Sequence, residues 1–250
     1  MKLALRLFAL VVAAGLSLQL FFVGRVALMA VVNPQSTSFQ RSEAWRLANL
    51  TTPLRWRQQW VPYANLPDAL KRAVIASEDD GFAQHDGVDW DAIEKAWQKN
   101  AKAEERALKQ GQWPATRQAP VRPAAAAPKV VGGSTITQQL AKNLLLSGER
   151  TLLRKGQELV LTLALEALLD KQRILEIYLN SVEWGEGVFG AEAAAQHYYR
   201  KSAMRLSQWE AARLAVMLPS PKGYEKRPNS PYLAARAAAI MARMGDSELP

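Results

Sequence analysis

Three stretches of the chain concentrate groups that can do chemistry. SEDDGFAQHDGVD, Ser77 to Asp89, places Glu78 where a helix-forming run gives way to a loop. A carboxylate on a rigid helix end is well placed to take a proton. A solvated acidic loop is the plain alternative, and Phe82 and His85 weigh against it, because such a loop has little use for a buried aromatic. His85 itself reads as a residue that bonds loop backbone. GGSTITQQLAKN, Gly132 to Asn143, sets hydroxyls on Ser134, Thr135 and Thr137 and amides on Gln138 and Gln139 just where a helix should begin. An N-capped helix with a polar face explains any one of them, and a grip on a large, anionic, sugar-like ligand explains the run. ERTLLRKGQELV, Glu149 to Val160, puts Arg154 and Glu158 four apart on one helix face. Lys155 stands beside Arg154, and Lys142 lies upstream. An exposed ion pair there is worth little, whereas a cationic cradle with one carboxylate suits a diphosphate and a divalent ion, Mg2+ or Mn2+. The residue types leave both readings open.

The elements that must position these groups are mostly helices. Pro67-Asp68 opens ALKRAVIASED, with Leu70, Ala73, Val74 and Ala76 at helical spacing. Asp89 or Asp91 can cap DAIEKAWQKN. Helices are expected over Thr135–Leu146, Thr151–Leu169, Lys171–Asn180, Ala191–Tyr199, Ser207–Met217 and Tyr232–Met244. In KQRILEIYLN the stripe Ile174, Leu175, Tyr178 and Leu179 reads as core, with Glu176 and Asn180 fixing neighbouring loops. GEGVFG reads as a turn or loop. No period-2 hairpin stands out, so the fold class is mainly α. Residues 101–129 differ. Four prolines between Gly111 and Pro128 forbid a continuous helix, so this stretch reads as a surface insertion, helical at first and then flexible.

Bulk properties narrow the partners. With 250 residues, 49% apolar residues and eight Trp, the chain can bury one substantial core. A net charge of +9 points to an anionic partner. No nucleic-acid motif is present, which leaves a membrane surface or a phosphorylated substrate. There are no cysteines, so disulfides and Cys-ligated metals are excluded. His85 and His197 lack metal-ligand spacing. Leu7 to Gly24 is an apolar run whose roughly 27 Å of helix matches a bilayer core of about 30 Å. Arg25 can snorkel, and Lys2 and Arg6 favour a cytoplasmic N-terminus. A cleaved signal peptide is the alternative, but the run is longer than a usual signal-peptide core and no clean A-x-A follows it, so residues 1–32 read as an anchor. Residues 33–62 read as a polar stalk, and residues 63–250 as the functional domain.

EDDGFAQHDGVD, GGSTITQQLAKN, RKGQE and KQRILEIYLN, in that order, resemble the successive signatures of the family 51 peptidoglycan glycosyltransferases, and Trp184 to Tyr199 extends the match. The resemblance covers about Leu66 to Met244. It is strongest to the family's monofunctional members, because too little chain follows for a transpeptidase domain. It implies a lysozyme-like, mainly α glycosyltransferase domain with a membrane-facing jaw, held by a single transmembrane helix at the inner membrane with the domain in the periplasm.

The resemblance also implies roles. The substrates are lipid II and a growing lipid-linked glycan. The acceptor 4-hydroxyl attacks the donor anomeric carbon with inversion, and undecaprenyl diphosphate leaves. Glu78 is the expected base. Glu158 is the second catalytic carboxylate, and positions the cations or a divalent ion at the diphosphate. Ser134, Thr135, Gln138, Gln139, Lys142, Asn143, Arg154 and Lys155 are the expected substrate contacts, with Asp79, Phe82, His85, Gly132 and Gly133 supporting them. No organic cofactor is implied. A transpeptidase or division proteins are the expected partners. The insertion at 101–129 departs from the family pattern and falls in the jaw. A peptidoglycan-cleaving, lysozyme-like enzyme and a non-enzymatic membrane scaffold are the competing readings.

Overall fold

A computed structural model describes residues 2–50, 55–111, 133–146 and 151–250. The chain divides into two compact units, Met1–Val88 with Thr135–Pro250, and Asp89–Ser134.

The larger unit is almost entirely helical, as its periodicity predicts. It begins with α1, Lys2–Leu28, the only element among the described residues long and apolar enough to cross a membrane. Arg25 does not break it. The end of α1 is not lipid-facing on all sides: Val26, and Met29 just beyond the helix, are buried in the protein core. The apolar stretch after Arg25 therefore serves the domain as well as the anchor.

The expected stalk is a folded part of the domain. Residues 33–62 contain α2, Ser38–Ala48, and the two-residue strand β1, Arg57–Gln58. Thr37 caps α2 through a reciprocal pair with Gln40, and Gln40 Nε2 also donates to the Ser181 carbonyl at 3.3 Å. These polar residues look solvated in a sequence, but Thr37 and Gln40 are buried because their groups are used in caps and cross-links.

The helix α3, Asp68–Glu78, is the central element. Leu70, Ala73, Val74 and Ile75 are fully buried. It packs against α9, Gln208–Met217, and α11, Pro231–Arg243. The helix α5, Ile136–Leu145, meets its C-terminal end through Ile136 and Gln139, and two more helices follow, α6, Leu152–Leu168, and α7, Lys171–Ser181. Of these, α5 lies against both α6 and α7.

The segment expected as a loop is instead a small hairpin. Strands β2, Glu183–Gly185, and β3, Val188–Phe189, pair antiparallel, and β1 adds in parallel to give the order β1-β3-β2. All of its β2 and β3 residues are buried, so no inside-outside alternation exists to be read. Gly187 turns it at φ +70°, where any Cβ would collide with the Arg55 carbonyl. The hairpin leads into α8, Ala191–Tyr199, and a short α10, Pro221–Glu225, lies against β2.

The smaller unit is built on α4, Trp90–Gly111. Asp89 caps it, accepting from the Ala92 N–H at 2.7 Å. The helix carries the expected insertion to Gly111 as helix. The rest of that insertion lies outside the described residues. Trp90 and Trp97 are exposed on α4.

Candidate active site

Glu78 is the last residue of α3, and the chain leaves the helix at Asp79, whose N–H still bonds the Ile75 carbonyl. The Glu78 carboxylate is half-buried and held by two neutral donors. Oε1 accepts from Ser77 Oγ at 3.2 Å, and Oε2 accepts from Gln139 Nε2 at 3.1 Å. Gln139 Oε1 in turn accepts from the Tyr178 hydroxyl at 3.0 Å. Burial raises the Glu78 pKa above the ordinary 4.5. The Gln139 and Ser77 hydrogen bonds oppose that rise, and the neighbouring Asp79 charge adds to it. The Tyr178 hydroxyl is pushed well above 10 by its own burial and by Glu78 and Asp79, so it remains a donor to Gln139.

Asp79 ties this end of α3 to two other elements. Oδ1 meets His85 Nε2 at 2.8 Å, and Oδ2 accepts from the backbone N–H of Ile136 at 2.9 Å. The Gly87 N–H donates to His85 Nδ1 at 3.1 Å, which makes Nε2 the protonated nitrogen facing Asp79. Below this loop, Phe82 is fully buried. Lys171 Nζ sits 4.6 Å over its ring while donating to the His85 carbonyl at 2.6 Å and Glu166 at 2.9 Å. The loop is thus stapled on three sides, and its acidic composition is structural as much as chemical.

The polar run at α5 divides into two classes. Thr135 is the N-cap: its hydroxyl accepts from the Gln138 N–H, donates to the Gly87 carbonyl at 2.6 Å, and Gln138 Oε1 returns a bond from the Thr135 N–H. Both side chains are buried. They position the helix, which corrects their expected role as direct substrate contacts. Thr137 is likewise buried and donates to Glu166 at 2.6 Å. Gln139 has both ends of its amide engaged by Glu78 and Tyr178, so it orients the carboxylate. The anion expected at the start of α5 is supplied by the protein itself, as Asp79 Oδ2. Lys142 is exposed and Asn143 half-exposed on the same helix. In the smaller unit, Ser134 is exposed, and a Cβ on Gly133 would lie 3.3 Å from the Ala92 carbonyl oxygen. Gly132 lies outside the described residues.

The second carboxylate stands on α6. Thr151 caps this helix by accepting from the Arg154 N–H at 3.2 Å. One turn on, Glu158 is buried and clamped by Arg154 Nη1 at 3.0 Å and by Lys155 Nζ. The Lys155 side chain is 53% exposed, so its ammonium can also meet an outside ligand. Arg154 Nε is buried with no hydrogen-bond partner among the described residues. A buried donor of this kind wants an acceptor.

A divalent ion fits this donor set poorly. Both Glu158 oxygens already accept from cations, and among the described residues no group of three His, Cys, Asp or Glu could hold a metal. An ion at Glu158 would have to displace Lys155 and sit beside Arg154. The expected metal ligand is therefore better described as the orienting partner of two cations.

Sequence patterns hid two parts of this site. Tyr178 sits in an apolar stripe and reads as core, yet a buried tyrosine hydroxyl needs a partner, which was the available signal. The Glu166–Lys171 pair under the loop had no local signature. Glu176 and Asn180 do fix a neighbouring segment: Trp60 Nε1 donates to Glu176 at 3.0 Å, and Asn180 exchanges bonds of 2.7 and 2.8 Å with Val61.

Residues 47–118 and 111–245 match a family profile described as Transglycosylase. The chain is 53% identical over 237 residues to a protein of Burkholderia thailandensis named biosynthetic peptidoglycan transglycosylase, covering 95% of this chain and 84% of that one. A protein of the same name from Burkholderia orbicola is 53% identical over 95% of this chain and 87% of its own. Another, from Burkholderia multivorans, is 52% identical over 97% and 89%.

Proposed function

This chain belongs to the transglycosylase family, and on that premise we propose that Glu78 is the general base of its peptidoglycan-polymerising reaction. The protein is a peptidoglycan glycosyltransferase, an enzyme of cell wall synthesis whose substrates are lipid II and lipid-linked glycan. The observation that carries the role of Glu78 is its environment: a half-buried carboxylate with a raised pKa, held by the neutral donors Ser77 and Gln139. A carboxylate neutralised by Arg or Lys is a weak base; the donors on this one are a hydroxyl and a carboxamide.

The acceptor 4-hydroxyl gives its proton to Glu78 as its oxygen bonds to the donor anomeric carbon. The bond from that carbon to the phosphate oxygen breaks, and its electron pair leaves with the lipid diphosphate. The configuration inverts in this single displacement, and no covalent intermediate on the enzyme is needed. The leaving group is already good, so it calls for charge neutralisation more than for an acid. Arg154, Lys155 and Lys142 supply that charge, and Glu158 holds the first two in place. Gln139 and Tyr178 orient the base. The proton and the diphosphate are thus handled by different elements, α3 with α5 on one side and α6 on the other.

The apolar α1 supports anchoring in the inner membrane, with Lys2 and Arg6 in the cytoplasm and the domain outside it. A membrane-bound enzyme meets a membrane-bound substrate at high effective concentration. Glycan strands made this way still carry uncrossed peptide stems, so a transpeptidase is the partner class we propose.

Polymerisation of labelled lipid II by the detergent-purified protein tests the reading. Wild type should give a ladder of glycan, and Glu78→Gln should give none while melting as wild type does. A polymerising Glu78→Gln would remove Glu78 from the chemistry. Soluble fragments released from finished peptidoglycan, with no polymer from lipid II, would favour the lysozyme-like reading.

A further inference from the structure

One face of α1, continued by the residue just after it, carries Gln19, Phe22, Val26 and Met29, spaced by three, four and three residues. All four are at least partly buried, while the neighbouring leucines and phenylalanines of the helix are exposed. That spacing is one continuous stripe of a helix. It docks on the larger unit at three levels. Arg173 Nε, at the start of α7, donates to the Met29 carbonyl at 2.7 Å. Val26 and Met29 enter the core. Gln19 exchanges two hydrogen bonds with Gln157 of α6, its Nε2 donating at 2.7 Å and its Oε1 accepting at 2.9 Å.

The last contact has no structural necessity in an anchor. Gln19 lies within the apolar run and precedes Arg25 by six residues, about 9 Å of helix. With Arg25 among the headgroups, Gln19 and its partner lie on the membrane side of it, at the edge of the acyl region. There an amide without a partner is costly, and an amide pair is correspondingly selective. The outer side of α6 agrees with this depth: Leu153, Val160 and Leu163 are exposed on one stripe of it. Gln157 is the residue immediately before Glu158 and the second after Lys155. Whatever fixes Gln157 fixes the turn of helix that carries the clamp.

We propose that Gln19 and Gln157 form a clasp that holds the Arg154–Lys155–Glu158 turn at a set depth in the outer leaflet, where the diphosphate of a membrane-bound donor lies. Gln19 and Gln157 are then positioning residues for donor binding, and α1 is part of the site's framework as well as its tether. This rests on the reading of that turn as the diphosphate cradle.

The test is steady-state polymerisation by the full-length protein in phospholipid vesicles containing lipid II, comparing wild type, Gln19→Leu, Gln157→Leu, the double variant and Glu158→Gln. Each single leucine variant should raise KM roughly threefold to tenfold, the scale of an interhelical membrane hydrogen bond, with kcat within about twofold. The double variant should be no worse than either single, because one interaction is lost in all three. Gln19→Asn should recover part of the effect. Unchanged KM in the leucine variants beside an inactive Glu158→Gln would overturn the clasp and leave the cradle standing. A fully active Glu158→Gln would overturn the cradle and the clasp with it. An equal fall in melting temperature with no change in KM would make the contact merely structural and overturn its positioning role. The chain has no cysteine, so Gln19→Cys with Gln157→Cys can be bridged cleanly by a short bis-maleimide in the vesicles. The bridged enzyme should keep its KM; loss of polymerisation on bridging would show that α1 must leave α6 during turnover, and would overturn a fixed clasp.

Discussion

Glu78 and Glu158 are both glutamates on helices, both largely shielded from water, and they are set up for opposite work. Glu78 ends its helix and is met by a hydroxyl and a carboxamide, so burial raises its pKa and its proton affinity is useful. Glu158 lies inside a helix and is met by a guanidinium and an ammonium from the preceding turn. Each of its oxygens already faces a cation, and what it offers is geometry, holding two cations side by side. The difference lies in the partners rather than in the carboxylate. Neutral donors leave a buried acid able to take a proton, and cationic donors turn it into a bracket.

The comparison breaks most severely if the roles are exchanged. Glu78→Gln should lower kcat for lipid II polymerisation by roughly 10²- to 10⁴-fold, the usual size of a lost general base, with little effect on KM. Glu158→Gln should lose roughly 10²-fold in kcat/KM through misplaced cations, and part of that loss should appear in KM. Identical kinetic signatures would end the distinction drawn above.

A finer test changes the partner and leaves the carboxylate. Gln139→Leu removes a bond that favours the charged form of Glu78, so the Glu78 pKa should rise further. The base must be ionised to act. The acid limb of the kcat/KM profile should therefore move to higher pH, with rates converging at alkaline pH. A uniform loss at every pH would show that Gln139 acts by shape alone.

A third glutamate sharpens the contrast without touching turnover. Glu183 on β2 is buried, and its pKa is raised to about 7 by burial, with Lys222 opposing and the Glu43 charge adding. A raised folded pKa means a contribution to stability that is complete below about 4.5 and is lost as pH rises through about 7. Glu183→Gln should match wild type in melting experiments near pH 5 and exceed it by about 1–3 kcal/mol near pH 8.5. The smallest effect expected is that of chelation. With both Glu158 oxygens on cations, removal of divalent ions should change the polymerisation rate by less than about threefold.

Legibility followed the range of the interaction. Helices with a local signature were readable: α3 from its apolar spacing and α7 from its stripe. The β hairpin was not, because its short strands are buried on both faces and show no alternation. The stretch before β1 looked like a stalk because Thr37 and Gln40 are polar, and only their buried cap and the bond to Ser181 reveal why. Within the site, the place of Glu78 at a helix end was legible from the apolar run that stops there. Thr135 and Gln138 were assigned to a ligand because a hydroxyl or an amide in a sequence does not show which partner takes it.

By itself the sequence determined the chemistry available to this protein: an apolar leader able to span a bilayer, a mainly helical core, two glutamates in separate motifs, and cations one turn from the second. Those properties depend on residue type and on spacings of three or four, which a helix converts directly into a face. Tertiary structure alone decided which groups remain free to act. Asp79 is tied to His85 and Ile136 across the fold, Gln139 joins Glu78 to Tyr178, and Gln157 reaches Gln19 from 138 residues away. A polar group's function is set by the partner it is left with after folding, and such partners come from parts of the chain that no local pattern connects.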